Sequence, residues 1–374
     1  MGRITAPPHL FRLQVAKRMT LALLATVAVA LPATADARLP RDFFGIAPQT
    51  PLTAADAARM KRGGIDIVRL PIFWSGVQQR PSSLDLSGYD QMVALLSRAH
   101  LEVLPVLYGT PRWLARHGTK LPISNARQRQ AWRGFVRAVV DRYGRFGSFW
   151  TEHGPGSPDF VPRNPVRTWQ VWNEENFFYF TTPASPGRYA RLLKITRPAI
   201  KGADGRAKIV IGGLFGDPKE RPPRAMDSAV FLERLYRVHG IKRSFDGVAL
   251  HPYAANVAKL RRLTEAIRRV MVRNRDRHAG LYLTEMGWGS RHRPRQVAFE
   301  VGLRPQAREL RGAYRYLIRN RRRLNLKQVH WFSWKDAPGF CSFCGSVGLF
   351  RRGARFHPKP AWHSFVAITH GRLR

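Results

Sequence analysis

Cysteine is nearly absent. The 374 residues hold two, Cys341 and Cys344, spaced C-S-F-C. A structural zinc site needs about four ligands, and no second cysteine pair exists to complete one. A thioredoxin-type redox pair would sit at a helix N-terminus in a different fold. The remaining reading is a small disulfide that staples a loop near the end of the last strand, as an exported protein allows. Acidic residues are also scarce, 24 against 64 Lys and Arg, and only 12 of those cations are lysine. Neither zinc-finger spacing nor a basic region followed by heptads accompanies the charge, so specific nucleic-acid recognition is not expected. The charge reads as attraction to polyanions such as acidic polysaccharide, or as arginine usage over a solvated surface; its spread along the whole chain favours the second. No G-x-G-x-x-G or G-x-x-x-x-G-K-[ST] follows any strand-like run, which removes the dinucleotide and P-loop classes.

Long apolar runs are missing too, except at the start. Arg3, Arg12, Lys17 and Arg18 precede the apolar run Met19–Leu31. It falls short of the roughly 20 residues of a membrane span. Small residues at Ala33, Ala35 and Ala37 suit a signal peptidase, so residues 1–37 read as a secretory signal peptide and the protein as secreted. An uncleaved anchor is the competing reading.

From residue 38 to the end, strand-like and helix-like stretches alternate. Strands are expected at Phe43–Ala47, Ile65–Phe73, Glu102–Leu107, from Val166 into Trp172, and at Lys208–Ile211, Asp246–His251, Leu281–Glu285 and Gln328–Trp334. They are near-continuous apolar runs, which suits a parallel sheet buried on both faces. The segments between them carry apolar residues at helical spacing. Eight such units fit a single-domain (β/α)8 TIM barrel.

In such a barrel the functional residues gather at the C-terminal ends of the strands. Those ends carry Arg69, Tyr108, Asn173 and Glu174, His251 and Tyr253, Glu285 and Trp288, then Trp331, Trp334 and Asp336. Strands four and seven face each other across the ring, so Glu174 and Glu285 are expected to meet over its centre. Two facing carboxylates are the minimum for glycosidic cleavage, one as acid and one as nucleophile or base. Aromatic rings beside them suit the apolar faces of sugars. Glu175, adjacent to Glu174, is expected to point to the opposite face of the strand. Asp336 reads as a solvated loop residue.

Trp172-Asn173-Glu174-Glu175-Asn176 and Thr284-Glu285-Met286-Gly287-Trp288 resemble the two signature segments of the TIM-barrel clan of retaining glycoside hydrolases, which includes cellulases, β-mannanases, β-xylosidases and β-galactosidases. The resemblance spans about residues 40–370 and departs from the clan at Glu175, where Pro is common. It implies Glu174 as general acid/base, Glu285 as nucleophile, and Asn173 as the donor to the sugar 2-hydroxyl. It implies Arg69 and Tyr253 beside the nucleophile, and Trp334 as the floor under the cleaved sugar. Tyr108, His251 and Trp288 complete the expected substrate contacts. The substrate would be a carbohydrate, an acidic one if the charge is functional, and no metal or organic cofactor is expected. A non-catalytic carbohydrate-binding or polyanion-binding barrel is the alternative; oligomeric state is not readable.

Overall fold

The computed structural model describes residues 39–293, 297–339 and 341–373. The expected signal peptide lies outside the described residues. Strands β1 (Phe44–Ile46), β2 (Ile67–Phe73), β3 (Glu102–Tyr108), β4 (Thr168–Val171), β5 (Lys208–Ile211), β6 (Gly247–His251), β7 (Gly280–Met286) and β8 (Leu326–Trp331) pair in parallel, in sequence order. A two-residue extension of β5, Leu214–Phe215, pairs with the end of β6. The Phe44↔Val329 pairing of β1 with β8 and the Val210↔Gly247 pairing of β5 with β6 close the ring. This is the expected (β/α)8 barrel.

The helices are α1 (Ala54–Arg62), α2 (Trp74–Val77), α3 (Ser87–Arg98), α4 (Ala126–Tyr143), α5 (Ser148–Glu152), α6 (Pro186–Ala203), α7 (Ser228–Tyr236), α8 (Val257–Arg273), α9 (Leu303–Leu324) and α10 (Pro360–Thr369). Their starts are set by side-chain caps that satisfy free backbone N–H groups. Thr53 and Asp56 form a capping box on α1, and Asn125, Ser185, Asp227 and Asn256 cap α4, α6, α7 and α8. Each of these caps follows a strand, so every capped helix start lies at the barrel end where the strands finish.

Three local departures from the sequence expectation bear on the site. β4 ends at Val171, and the chain then leaves the sheet through Trp172 (φ 73°) and Glu174 (φ 41°). Left-handed backbone at two non-glycine residues costs about 1–3 kcal/mol each and persists only where the surroundings impose it. Here Trp172 N donates to Leu107 O at 2.8 Å and Glu174 N to Gly212 O at 3.0 Å, so both neighbouring strands fix the turn. β7 shifts register between the pairs Leu283↔Val329 and Met286↔Trp331, a bulge that spans Thr284 and Glu285. A bulge breaks strict alternation and re-aims side chains, which lets both residues serve the barrel interior. Finally, β8 stops at Trp331, three residues before the expected end.

Candidate active site

Glu174 and Glu285 stand together. One carboxylate oxygen of each, with a ring nitrogen of His251, lie within 4.8 Å of one another. Both side chains are nearly buried, Glu174 6% and Glu285 8% exposed. Glu174 follows the end of β4 and Glu285 lies next to the last residue of β7, so both stand at the C-terminal end of the barrel and not on its underside.

Arg69 organises the pair from β2. Its three nitrogens donate separately: Nε to Gln170 Oε1 at 2.8 Å, Nη1 to Glu285 Oε1 at 2.5 Å, and Nη2 to Asn173 Oδ1 at 2.6 Å. The planar guanidinium forces these acceptors into one plane, which a flexible lysine would not do. With Oδ1 engaged, the Asn173 NH2 group turns away from the guanidinium. On the other side, the Tyr253 hydroxyl donates to Glu285 Oε2 at 2.7 Å. Both oxygens of Glu285 are therefore held, one by a cation and one by a phenol.

Glu174 has a different environment. His251 Nδ1 lies 2.8 Å from Glu174 Oε1, and His251 Nε2 lies 3.0 Å from Thr284 Oγ1. Burial first, and then the charge of Glu285, push the Glu174 carboxyl well above the usual carboxylate range. Burial, with Arg69 nearby, drives His251 well below the ordinary histidine value, so its ring is neutral. A neutral imidazole suits both states of Glu174. It accepts at Nδ1 from the carboxylic acid, with Nε2–H donated to Thr284. In the other tautomer it donates from Nδ1 to the carboxylate.

Glu175 follows a separate course. It faces away from the cleft and is fully buried against Gly212, where any Cβ would collide with the Glu175 carboxyl. Burial pushes this carboxyl up to about 8. The expectation that only one of the two glutamates aims inward holds, but the reason is the left-handed turn at Glu174 and not strand alternation. Gly213 (φ 82°) has no room for a side chain either, because His251 and Gln170 fill the space.

Of the expected aromatic contacts, Tyr108 lies half-buried at the mouth, 4.8 Å from the exposed ring of Phe73. Trp288 and Trp334 are corrections. Both are at most 1% exposed. Trp288 packs against Trp331, and Trp334 is wedged edge-on to Trp362 while its indole N–H donates to Asp56 Oδ1 at 2.7 Å. Because β8 ends early, Trp334 follows the chain into the core under α1 and α10 and offers no open face. Asp336 is likewise not a solvated residue: it is buried, 2.6 Å from Lys359 Nζ.

The aromatic wall beside Glu285 is instead built by residues that the motifs did not single out. Phe299, Phe332 and Phe343 surround Tyr253, with ring centroids 5.2, 5.9 and 5.2 Å away. Phe343 lies between Cys341 and Cys344, which form the expected disulfide. Gln170 and Thr284 were also missed, although a buried polar residue in the apolar run of β4 is a signal that could have found Gln170.

A cation could in principle use Glu174, His251 and Glu285. The donor set is already engaged, however: Arg69 and Tyr253 occupy the Glu285 oxygens, and both His251 nitrogens have partners.

Comparison with known structures places the architecture. The chain is similar to a family 39 glycoside hydrolase from Bacteroides cellulosilyticus WH2, with a TM-score of 0.62 at 17% identity over 89% of this chain and 64% of that one. The chain has the fold of the TIM-barrel glycoside hydrolases. A monomeric β-xylosidase from Caulobacter crescentus CB15 aligns with a TM-score of 0.62 at 17% identity, over 88% of this chain and 68% of that one. Xylanase 10B from Thermotoga maritima aligns with a TM-score of 0.58 at 14% identity, over 88% and 95%. The chain thus spans about two thirds of the length of the first two structures and nearly all of the third. No family model matches the chain, and no curated protein is similar to it in sequence. Among the described residues, no helix is long and apolar enough to cross a membrane.

Proposed function

We propose that this protein is a secreted retaining glycoside hydrolase that cleaves O-glycosidic bonds of an oligo- or polysaccharide by double displacement. The observation that carries the reading is the close, asymmetric carboxyl pair. Oxygens of Glu174 and Glu285 lie within 4.8 Å, nearer the roughly 5–5.5 Å spacing of retaining enzymes than the ~6.5–9.5 Å of inverting ones. Pairs whose environments differ divide acid and nucleophile between them. Burial and the neighbouring anion favour protonated Glu174. Arg69 and Tyr253 both donate to Glu285, which favours its charged form.

In the first step a Glu285 oxygen attacks the anomeric carbon as the bond to the leaving oxygen breaks. Glu174 transfers its proton to that oxygen. The resulting glycosyl ester neutralises Glu285, and Glu174 is left as a carboxylate beside His251. In the second step Glu174 takes a proton from water, the water oxygen attacks the anomeric carbon, and Glu285 departs as carboxylate. Asn173, held by Arg69 through Oδ1, presents its NH2 group to the sugar 2-hydroxyl. Tyr108 and Phe73 supply ring faces at the mouth. Export is inferred from the basic and apolar start of the chain and agrees with a disulfide-bearing loop.

The test is trapping with 2-fluoro glycosides of several sugars, followed by mass mapping. Label on Glu285 is expected. Label elsewhere, or no label and no turnover across a broad glycan panel, would overturn the assignment.

A further inference from the structure

Between the loop that enters α4 and the first half of α6 lies a groove of about 410 Å3, within the ~300–1,000 Å3 range of ligand sites. Ile123, Ser124 and Arg129 form one wall; Arg188, Arg191 and Lys194 form the other. α4 follows β3 and α6 follows β4, so the groove opens at the barrel end that carries Glu174 and continues down the outer wall.

Among the described residues its cations are unpaired, as many on this basic surface are, but here four of them line one groove, whereas other helices carry acidic partners. Arg261 and Arg323 share Glu265, Arg273 meets Glu233, Arg142 meets Asp90 and Glu152, and Lys259 meets Asp217. None of the four groove cations has a carboxylate partner among the described residues, and α6 contains no Asp or Glu. Arg188, Arg191 and Lys194 recur every third residue, which stacks them along one helix face, where like charges repel. Arg188 Nε is buried without a hydrogen-bond partner. Arg129 is fixed by donation from Nη1 to Ile123 O at 3.2 Å. The wall is positioned and its counter-charges are missing.

We propose that this groove binds the carboxylate or sulfate groups of an acidic glycan, as an outward extension of the cleft. The glycan identity rests on the hydrolase reading above; the anion site rests on the groove itself. An extended chain of spaced anions matches a row of cations about one helical turn apart, and guanidinium groups bind such oxyanions in forked geometry. Neutral glycans would gain nothing from the row.

The experiment uses the full chain carrying Glu285→Gln, so that ligands are not consumed. Its probes are an oligogalacturonate, a heparin-derived oligosaccharide and a neutral xylo-oligosaccharide of matched length, at low and at physiological ionic strength. At least one anionic probe is expected to bind roughly tenfold or more tighter than the neutral one, with the gap narrowing as salt rises. Preference for the oligogalacturonate assigns carboxylate, and preference for the heparin fragment assigns sulfate. The triple variant Arg188→Ser, Arg191→Ser, Lys194→Ser is expected to lose the preference. A control that removes three exposed arginines from α8 and α9, Arg262→Ser, Arg269→Ser and Arg315→Ser, keeps it. Arg188→Lys with Arg191→Lys retains most of it, which separates lost charge from misfolding. Equal loss in the control, no initial preference, or equally tight groove-dependent binding of duplex DNA overturns the proposal. A failed 2-fluoro labelling panel with the anionic preference intact removes the hydrolase reading and leaves the groove standing.

Discussion

Arg69 and Tyr253 approach Glu285 from opposite sides, the guanidinium 2.5 Å from Oε1 and the phenol 2.7 Å from Oε2. Neither oxygen can rotate without breaking a bond to a charged or strongly polar partner. The carboxylate therefore presents one fixed face to the cleft. Tyr253→Phe keeps the ring and its packing but frees Oε2. A hydrogen bond to a charged group is worth about 1.5–3 kcal/mol, so kcat on an aryl glycoside is expected to fall roughly 10–100-fold with little change in thermal stability. Unchanged kcat would show that Arg69 alone positions the nucleophile.

Glu174→Ala removes the proton donor and leaves Glu285 in place. General acid catalysis contributes about 10²–10⁴-fold, but only where the leaving group needs a proton. Loss of that size is expected on alkyl glycosides and natural oligosaccharides, and a much smaller loss of the first step on nitrophenyl glycosides. Added azide, which needs no general base, is expected to restore turnover by attacking the glycosyl ester. Equal losses on both substrate classes would argue that another group donates the proton.

Glu175 supplies a test by stability. Its carboxyl is held neutral in the fold up to about pH 8 against an ordinary value of 4.5. The folded pKa is the higher one, so the native state binds the extra proton. This group's contribution is fully present below about pH 4.5 and is lost as pH rises to about 8. Glu175→Gln fills the same space without that cost. Thermal melts of variant and wild type are expected to converge at acid pH, with the variant melting higher by several degrees near pH 8. A variant that melts lower at pH 8 would show that the carboxyl has a buried partner that favours its charge.

The disulfide gives a fourth expectation. It closes a loop of sequence separation 3, for which the chain-entropy estimate is only about 2 kcal/mol. Global stability is therefore not its main consequence. Phe343, inside that loop, packs against Tyr253 and Phe299. Cys341→Ser with Cys344→Ser is expected to lower kcat severalfold while far-UV circular dichroism stays the same, because Tyr253 loses part of its wall. Unchanged kcat in a folded double variant would detach the loop from the site.

The ring of eight strands and the meeting of Glu174 with Glu285 were legible because apolar runs and terminal carboxylates are local signals that the barrel topology turns into distance. Arg69 and Tyr253 were legible as strand-end residues, but their place beside Glu285 only through a resemblance, since nothing in an apolar run says which polar side chain crosses the interior. Trp334 was misplaced because period and composition do not reveal where a strand stops. Three residues of difference at the end of β8 move a ring from the cleft to the core beneath α1. Phe299 and Phe343 lie on connections whose course depends on tertiary packing and, for Phe343, on the closed disulfide. The cations of α6 were visible as residues, but their lack of partners is a property of the neighbouring helix and emerges only when the two are side by side.

The barrel wall has a seam. Pairing between β5 and β6 lapses at Gly212–Gly213, between Val210↔Gly247 and Leu214↔Leu250. Glu174 is tied to one lip through Gly212 and touches His251 on the other, so its own hydrogen bond acts as a stitch across the thinnest part of the wall. Each time the proton moves, that stitch changes character. Closure of the seam and the protonation of the acid therefore share one hydrogen bond.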